Sequence, residues 1–253
     1  MKKLFVLPMV ALSMMSVQAA AQDSDGTGGY VHLRAGFTDL NKPSLLIEDA
    51  GTTPNTTIEG RVDPSNALTF GGEFGHDFGD VRIGIEASYA RHKVSSINFK
   101  TYNGREFGST LLSTALTGLG YSTADLADYD ITGTDIKAKQ GNIGKFRQIA
   151  VLANLSYDIP VENSPIQPYV GAGIGGAFNQ VKAFGDSDTK FRFAWQVRGG
   201  IAYQAAEKVQ LTADYTYRNV GKTEIGLRDD EDLSATLGKT RASIWQAGVR
   251  FGF

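Results

Sequence analysis

VRIGIEASYA, residues 81–90, alternates without a slip. Val81, Ile83, Ile85, Ala87 and Tyr89 fall on one face, and Arg82, Gly84, Glu86 and Ser88 on the other. A period of two marks a strand with two different surroundings. The polar face carries the information. In a soluble sandwich that face meets water and usually holds many lysines, whereas here it mixes glycine and serine with one arginine and one glutamate. Small residues with a few charges suit a narrow closed interior, where larger side chains would collide. The apolar face then looks outward, and its final Tyr89 suits a membrane boundary.

Seven further segments read the same way. GGYVHLRAGF sets Val31, Leu33, Ala35 and Phe37 against His32, Arg34 and Gly36. ALTFGGEFGHDF sets Leu68, Phe70, Gly72 and Phe74 against Thr69, Gly71, Glu73 and Gly75. In IAVLANLSYD, Val151, Ala153, Leu155 and Tyr157 oppose Asn154, Ser156 and Asp158. PYVGAGIGGAF sets Val170, Ala172 and Ile174 against Gly171, Gly173 and Gly175. FAWQVRGGIAY places Trp195, Val197, Ile201 and Tyr203 opposite Gln196, Arg198 and Gly200. VQLTADYTYR separates Val209, Leu211, Ala213, Tyr215 and Tyr217 from Gln210, Thr212, Asp214, Thr216 and Arg218. The last segment, SIWQAGVRFGF, puts Trp245, Ala247, Val249, Phe251 and Phe253 opposite Gln246, Gly248, Arg250 and Gly252.

The apolar faces end on aromatics, among them Phe37, Phe74, Tyr89, Tyr157, Trp195, Tyr203, Tyr217, Trp245 and Phe253, as a membrane girdle does. The connections alternate long (38–66, 95–142, 179–190, 219–239) and short (78–80, 159–167, 204–208). Together these features predict an all-β fold over residues 22–253. It is an eight-stranded antiparallel up-and-down transmembrane β-barrel with long extracellular loops and short periplasmic turns. Closure satisfies every backbone group in lipid, where an open sheet edge would be prohibitive.

The amino terminus agrees with that destination. Lys2 and Lys3 precede an apolar run from Leu4 to Val17 and then Ala19, Ala20 and Ala21. This is the layout of a secretory signal peptide, expected over residues 1–21, with cleavage after Ala21 and with Ala19 and Ala20 as alternatives. Removing it takes the formal net charge from −2 to about −4, too mild to imply nucleic acid. The chain has no cysteine, so neither a disulfide staple nor thiol chemistry is available. No later stretch is apolar for long enough to span a membrane as a helix.

FGGEFGHDFGDVRIGIEASYARHKV, PYVGAGIGGA and the terminal GVRFGF resemble the opacity-protein and surface-antigen families of small outer-membrane barrels, related to the transmembrane domain of outer-membrane protein A and to porin-family proteins. The resemblance covers the strands from Gly28 to Phe253 and leaves out the loops. It implies a Gram-negative outer membrane, contact with outer-membrane lipid, delivery by periplasmic chaperones and insertion by the barrel-assembly machinery. It also implies that Phe253, with Phe251 and Trp245, serves as the assembly signal. Nothing follows Phe253, so the peptidoglycan-binding domain of some relatives is expected to be absent.

The short turns fix lumenal neighbours. A two-residue turn at Gly79-Asp80 places Asp77 opposite Arg82 and Glu73 opposite Glu86. Pairing Tyr203 with Val209 keeps the apolar faces together and places Arg198 opposite Asp214. Arg34, Glu73, Glu86, Arg198, Asp214 and Arg250 are therefore expected in one belt of three carboxylates and three guanidiniums. Two adjacent glutamates need such neutralisation, and the fixed fork of arginine suits it. The belt reads as structural filling of a narrow interior, or else as a gate or selectivity ring.

No catalytic or metal site emerges, and no cofactor is expected. His32 should point inward near the periplasmic rim, His76 outward near the same rim, and His92 should lie at the top of its strand beside Ser95 and Ser96. A triad needs mutual hydrogen-bond reach, and no face collects these groups. The glycines of GAGIGG, residues 171–176, alternate within a strand instead of opening a helix, so lumenal crowding explains them better than phosphate binding. In the second outer loop Leu111, Leu112, Ala115, Leu116 and Leu119 recur at helical spacing, either packing on the barrel rim or forming a partner-binding patch. The acidic run at 229–232 reads as a solvated loop tip. The expected role is that of a surface-exposed structural or adhesin-like protein, meeting host or cell-surface ligands through its loops. A narrow pore is the alternative, and a lipid-modifying enzyme or protease is the third reading.

Overall fold

The computed structural model describes residues 27–51, 55–106, 111–118, 122, 124, 127–139, 143–183, 186–227 and 230–253. The proposed signal peptide lies outside the described residues. In chain order the elements are β1 (Gly28–Leu40), β2 (Ser44–Asp49), β3 (Thr56–Pro64), β4 (Ala67–Asp77), β5 (Val81–Tyr102), β6 (Arg105–Glu106), α1 (Leu111–Gly118), β7 (Tyr129–Thr132), β8 (Asp135–Ala138), β9 (Gly144–Asp158), β10 (Ile166–Ala183), β11 (Asp186–Ala206), β12 (Val209–Val220), β13 (Thr223–Leu227), β14 (Asp230–Leu237) and β15 (Thr240–Gly252).

Eight of the strands close a barrel in the order β4-β1-β15-β12-β11-β10-β9-β5, with β5 returning to β4. Every ladder in the ring is antiparallel. The seam joins the two ends of the chain, where Tyr30 faces Gly252 and Phe37 faces Trp245. Both ends of the described chain lie at the rim that carries the short turns. The Phe253 amide donates to the Gly29 carbonyl at 2.8 Å, and the Phe253 ring stacks on Phe74 with centroids 6.2 Å apart. No helix among the described residues is long and apolar enough to cross a membrane; the strands make the crossing.

The turns explain the registers. At the β4–β5 hairpin the Phe78 amide donates to the Val81 carbonyl at 2.8 Å, and Gly79 takes a φ of +99°. A type II′ turn asks for that conformation at its first central residue, and glycine meets it without strain. Glu73 then faces Glu86, as predicted. The β11–β12 hairpin corrects the prediction. Tyr203 pairs with Leu211 rather than Val209, and Arg198 stands opposite Thr216 rather than Asp214. A bulge between Gln204 and Ala206 lets a tight Glu207-Lys208 turn close the hairpin, which slides the pairing by two residues.

The outer connections are mostly strand. β3 pairs with the upper part of β5, and β2, β14 and β13 follow it in the sheet. They build a β-rich cap over one end of the barrel. Helix α1 falls where the leucine spacing places it. Its Leu112, Ala115 and Leu116 are buried in the cap core with Ile58, Ile97, Phe99 and Ile136, so these side chains form packing and not an exposed partner-binding patch. Leu119 lies outside the described residues. A bulge opposite Asp63–Pro64 makes Ser95 an extra residue in β5. Before it the even-numbered residues through Val94 are buried, and after it Ile97 and Phe99 are. One inserted residue moves the following side chains to the opposite face.

Candidate functional site

The lumen is packed in tiers. Antiparallel pairing of β4 and β5 sets Glu73 beside Glu86, both almost fully buried, and β1 and β11 direct arginines at the pair. Arg34 Nη2 lies 3.2 Å from Glu73 Oε2 and 3.0 Å from Glu86 Oε2. Arg198 Nη1 lies 3.0 Å from Glu73 Oε2, while its Nη2 donates to Glu86. Arg218 donates from Nη2 to Glu86 Oε1 at 2.7 Å and from Nη1 to Ser88 Oγ at 2.8 Å. Neutral donors complete the set. Asn154 Nδ2 reaches Glu73 Oε2 at 2.9 Å and Glu86 Oε2 at 3.0 Å, and Gln196 Nε2 reaches Glu86 Oε2 at 2.8 Å. The Tyr30 hydroxyl donates to Glu73 Oε1 at 2.6 Å. Two like charges in contact are tolerated because three guanidiniums and two amides converge on them.

Glycine makes the room. A Cβ on Gly173 would stand 1.9 Å from Asn154 Oδ1, and one on Gly84 would stand 2.6 Å from the Tyr30 hydroxyl. The alternating glycines therefore answer lumenal crowding directly.

Asp214 joins at the edge of this cluster. Its Oδ1 lies 3.8 Å from Arg198 Nε, and its Oδ2 accepts from Tyr169 at 3.1 Å. Arg250 departs from the single belt expected from the sequence. Its side chain lies in a separate tier nearer the short turns, where Nη1 donates to Gln210 at 2.7 Å and lies 4.0 Å from Asp158. The cause is the seam register, which puts Arg250 beside His32, one inward position below Arg34. Arg82 pairs with Asp158 in that tier. Both guanidiniums lie over the Tyr30 and Tyr169 rings at 5.2–5.9 Å from the centroids. Such stacking is favourable for a partly desolvated cation.

Arg82, Asp158, Arg218, Asn154 and Gln196 stand outside the belt expected from sequence, although the alternation puts all five on the polar face. The signal for Arg218 was hidden by the register, since it faces Gln196 only after the two-residue shift at the β11–β12 turn. Above the cluster a neutral tier follows, in which Gln148 donates to Asn179 and Asn179 to Thr223, each at 3.0 Å.

The three histidines are not brought together. His32 is buried in the lumen with Nε2 2.8 Å from Thr212 Oγ1. His76 faces outward against Phe78, with ring centroids 4.5 Å apart. His92 lies at the base of the cap, its Nδ1 2.8 Å from the Ser65 carbonyl. Among the described residues no group of three metal-ligating side chains converges. Of the acidic run, Asp229 lies outside the described residues and Asp232 is exposed.

On the outside, Ile85 and Ile174 remain 63% and 64% exposed, within a band that includes Leu155, Val197 and Ile201 and is bordered by Phe37, Phe74, Tyr203 and Trp245. This is the surface of a barrel solvated by lipid.

A sequence profile of the family described as surface antigen matches residues 29–252. Major surface antigen 4 of Anaplasma marginale is 27% identical over 196 residues, which are 74% of this chain and 60% of that protein. The 25 kDa outer-membrane immunogenic protein of Brucella abortus is 27% identical over 118 residues, 47% of this chain and 48% of that protein. The chain thus spans about half to three fifths of the relatives it matches. Among solved structures, Neisserial surface protein A aligns at 18% identity with a TM-score of 0.48, over 89% of this chain and 97% of that one. The outer membrane protein OprG of Pseudomonas aeruginosa aligns at 16% identity with a TM-score of 0.48, over 90% and 97%.

Proposed function

The chain belongs to the surface antigen family of outer-membrane proteins, and we propose that it anchors and presents: a barrel that does not conduct holds a folded cap at the cell surface, and the cap meets a host or cell-surface partner. One observation carries the reading. Glu73, Glu86, Arg34, Arg198 and Arg218 come from five strands around the ring and meet across the bore, each buried. An interior of eight strands is narrow enough for side chains to fill it. Above them the cap closes over its own apolar core. The cap's outward side chains include Lys100, Arg105, Glu106 and Glu224, a polar surface suited to water and to a protein or glycan partner.

Single-channel recording on purified, refolded protein in a planar bilayer tests this directly. The expected result is no discrete, sustained conductance at neutral pH. A reproducible unitary conductance would overturn the sealed-anchor reading in favour of a narrow pore.

A further inference from the structure

Inside the cap lies a cavity of about 90 Å³. Its walls are almost wholly hydrocarbon and include Leu45, Ile97, Phe99, Ile225, Ala235 and Leu237. The lining contains two hydroxyls: that of Thr223 already accepts a hydrogen bond from Asn179, and that of Thr240 is buried without a hydrogen-bond partner, with almost no polar surface turned to the cavity. A water molecule needs two to four polar partners, which this space does not offer, and apolar cavities of this kind stay dry. An engineered cavity of about 150 Å³ takes benzene, so the smaller space here limits its occupant to a single compact hydrocarbon group.

One strand of the cavity wall, β13, borders an unstitched seam on its far edge. The outer part of β11, residues 186–193, forms a ladder with β10 only, because its pairing with β12 begins at Ala194. β13 forms a ladder with β14 only. The two strands lie side by side, yet among the described residues no ladder joins them. At the base of the seam the Gly221 amide donates to the Phe193 carbonyl at 3.0 Å, and the Arg192 side chain donates to the Lys222 carbonyl. Thr223 and Ile225 of β13 line the cavity on the inner side. On the outer side Phe191 and Phe193 are exposed beside the lipid-facing band. Above these two bonds no ladder among the described residues joins the strands, so the seam can part there without breaking a sheet.

We propose that this cavity is a binding site for a compact, uncharged hydrocarbon group no larger than a single ring, admitted from the outer-leaflet boundary through the β11–β13 seam. The site discriminates by size and by a lining whose accessible surface is almost entirely apolar. A charged or strongly hydrated molecule would lose its water and find at most the Thr240 hydroxyl in exchange.

The test is a benzene titration of the full chain refolded in detergent micelles, followed through the isoleucine methyl resonances. Ile97 and Ile225 should shift saturably, while the lipid-facing Ile85 and Ile174 should show only the unsaturable drift of partition into the micelle. Ala235→Leu puts three more carbons into the cavity and should weaken the saturable binding by about tenfold or more. Arg192→Ala removes a tie across the seam and should speed benzene exchange severalfold at unchanged affinity. Equal responses at all four isoleucines, or undiminished binding in a folded Ala235→Leu protein, would overturn the site. An unchanged exchange rate in Arg192→Ala would overturn the route. If Ala235→Leu does not fold, xenon applied to the unmodified protein decides: shifts confined to Ile97 and Ile225 support the site, and uniform shifts exclude it.

Discussion

From Val81 to Tyr89, strand β5 turns its branched and aromatic side chains outward and its charged ones inward; at Ile97 and Phe99 the same strand does the reverse. The barrel and the cap are thus inside-out versions of one another, stacked along shared strands. The difference follows from the solvent on the outside. Lipid tails are as apolar as any core, so burying hydrocarbon in the lumen gains nothing, and interior cohesion falls to hydrogen bonds and ion pairs. The cap stands in water, where burying Ile58, Phe99 and Leu116 yields roughly 1.5–3 kcal/mol per side chain. The Ser95 bulge is the local device that exchanges the two faces.

The strongest way to break this comparison is to remove the charge on which the barrel interior converges. Glu86→Gln keeps the shape of the side chain but leaves three buried arginines with one carboxylate fewer: Arg34 and Arg198 keep Glu73, while Arg218 loses the carboxylate it pairs with. Leaving buried charge uncompensated costs about 3–5 kcal/mol. Urea unfolding of the micelle-refolded protein should show a loss of that order. A loss below about 1 kcal/mol would mean that the cluster behaves like exposed ion pairs, and the barrel would then owe its stability to something else.

The outer surfaces sharpen the contrast at a smaller scale. Ile85→Arg places a guanidinium on the lipid-facing band and should cost about 2–4 kcal/mol. Lys100→Ile makes the opposite exchange on the exposed face of the cap and should change stability by about 0.5 kcal/mol or less. Equal effects of the two substitutions in the same unfolding assay would show that the outward faces do not meet different solvents.

The eight strands and their faces were legible because lipid on one side and a narrow lumen on the other leave a period-two signature in every crossing. The Glu73–Glu86 pairing was legible too, since the Gly79-Asp80 turn has one economical closure. What escaped was register wherever a bulge intervened. The hydrophobic pattern fixes register only to the nearest two residues, because a shift of two returns every side chain to its own face. Pairing Tyr203 with Val209 satisfied the pattern as well as the actual Leu211 does. That shift hid Arg218 from the cluster and placed Asp214 directly across from Arg198. The cap escaped for a related reason. The Ser95 bulge reverses parity within β5, so its outer third read as an interruption and not as continued strand.

His92 lies at the boundary between the two regions, just beyond the lipid-facing part of β5, and offers the finest test of where one environment gives way to the other. Its ring is buried, 6.2 Å from the Phe146 ring, with Nδ1 donating to the Ser65 carbonyl. Burial pushes its pKa below the ordinary histidine value, and the bond to Ser65 and the charge of Asp39 restore only part of the loss. In the unfolded chain the imidazole takes up a proton as pH falls through about 6.5. The folded chain resists that proton, so the unfolded state binds more protons and stability declines as pH falls. The contribution is present above the ordinary histidine pKa and is lost below it. His92→Gln removes this group while leaving His32 and His76 in place, so the difference between parent and variant isolates His92. Urea midpoints at pH 8 and pH 5 should therefore fall further for the parent than for the variant, by less than the effects of Glu86→Gln or Ile85→Arg. Equal falls would put His92 in contact with water and move the start of the dry cap outward along β5.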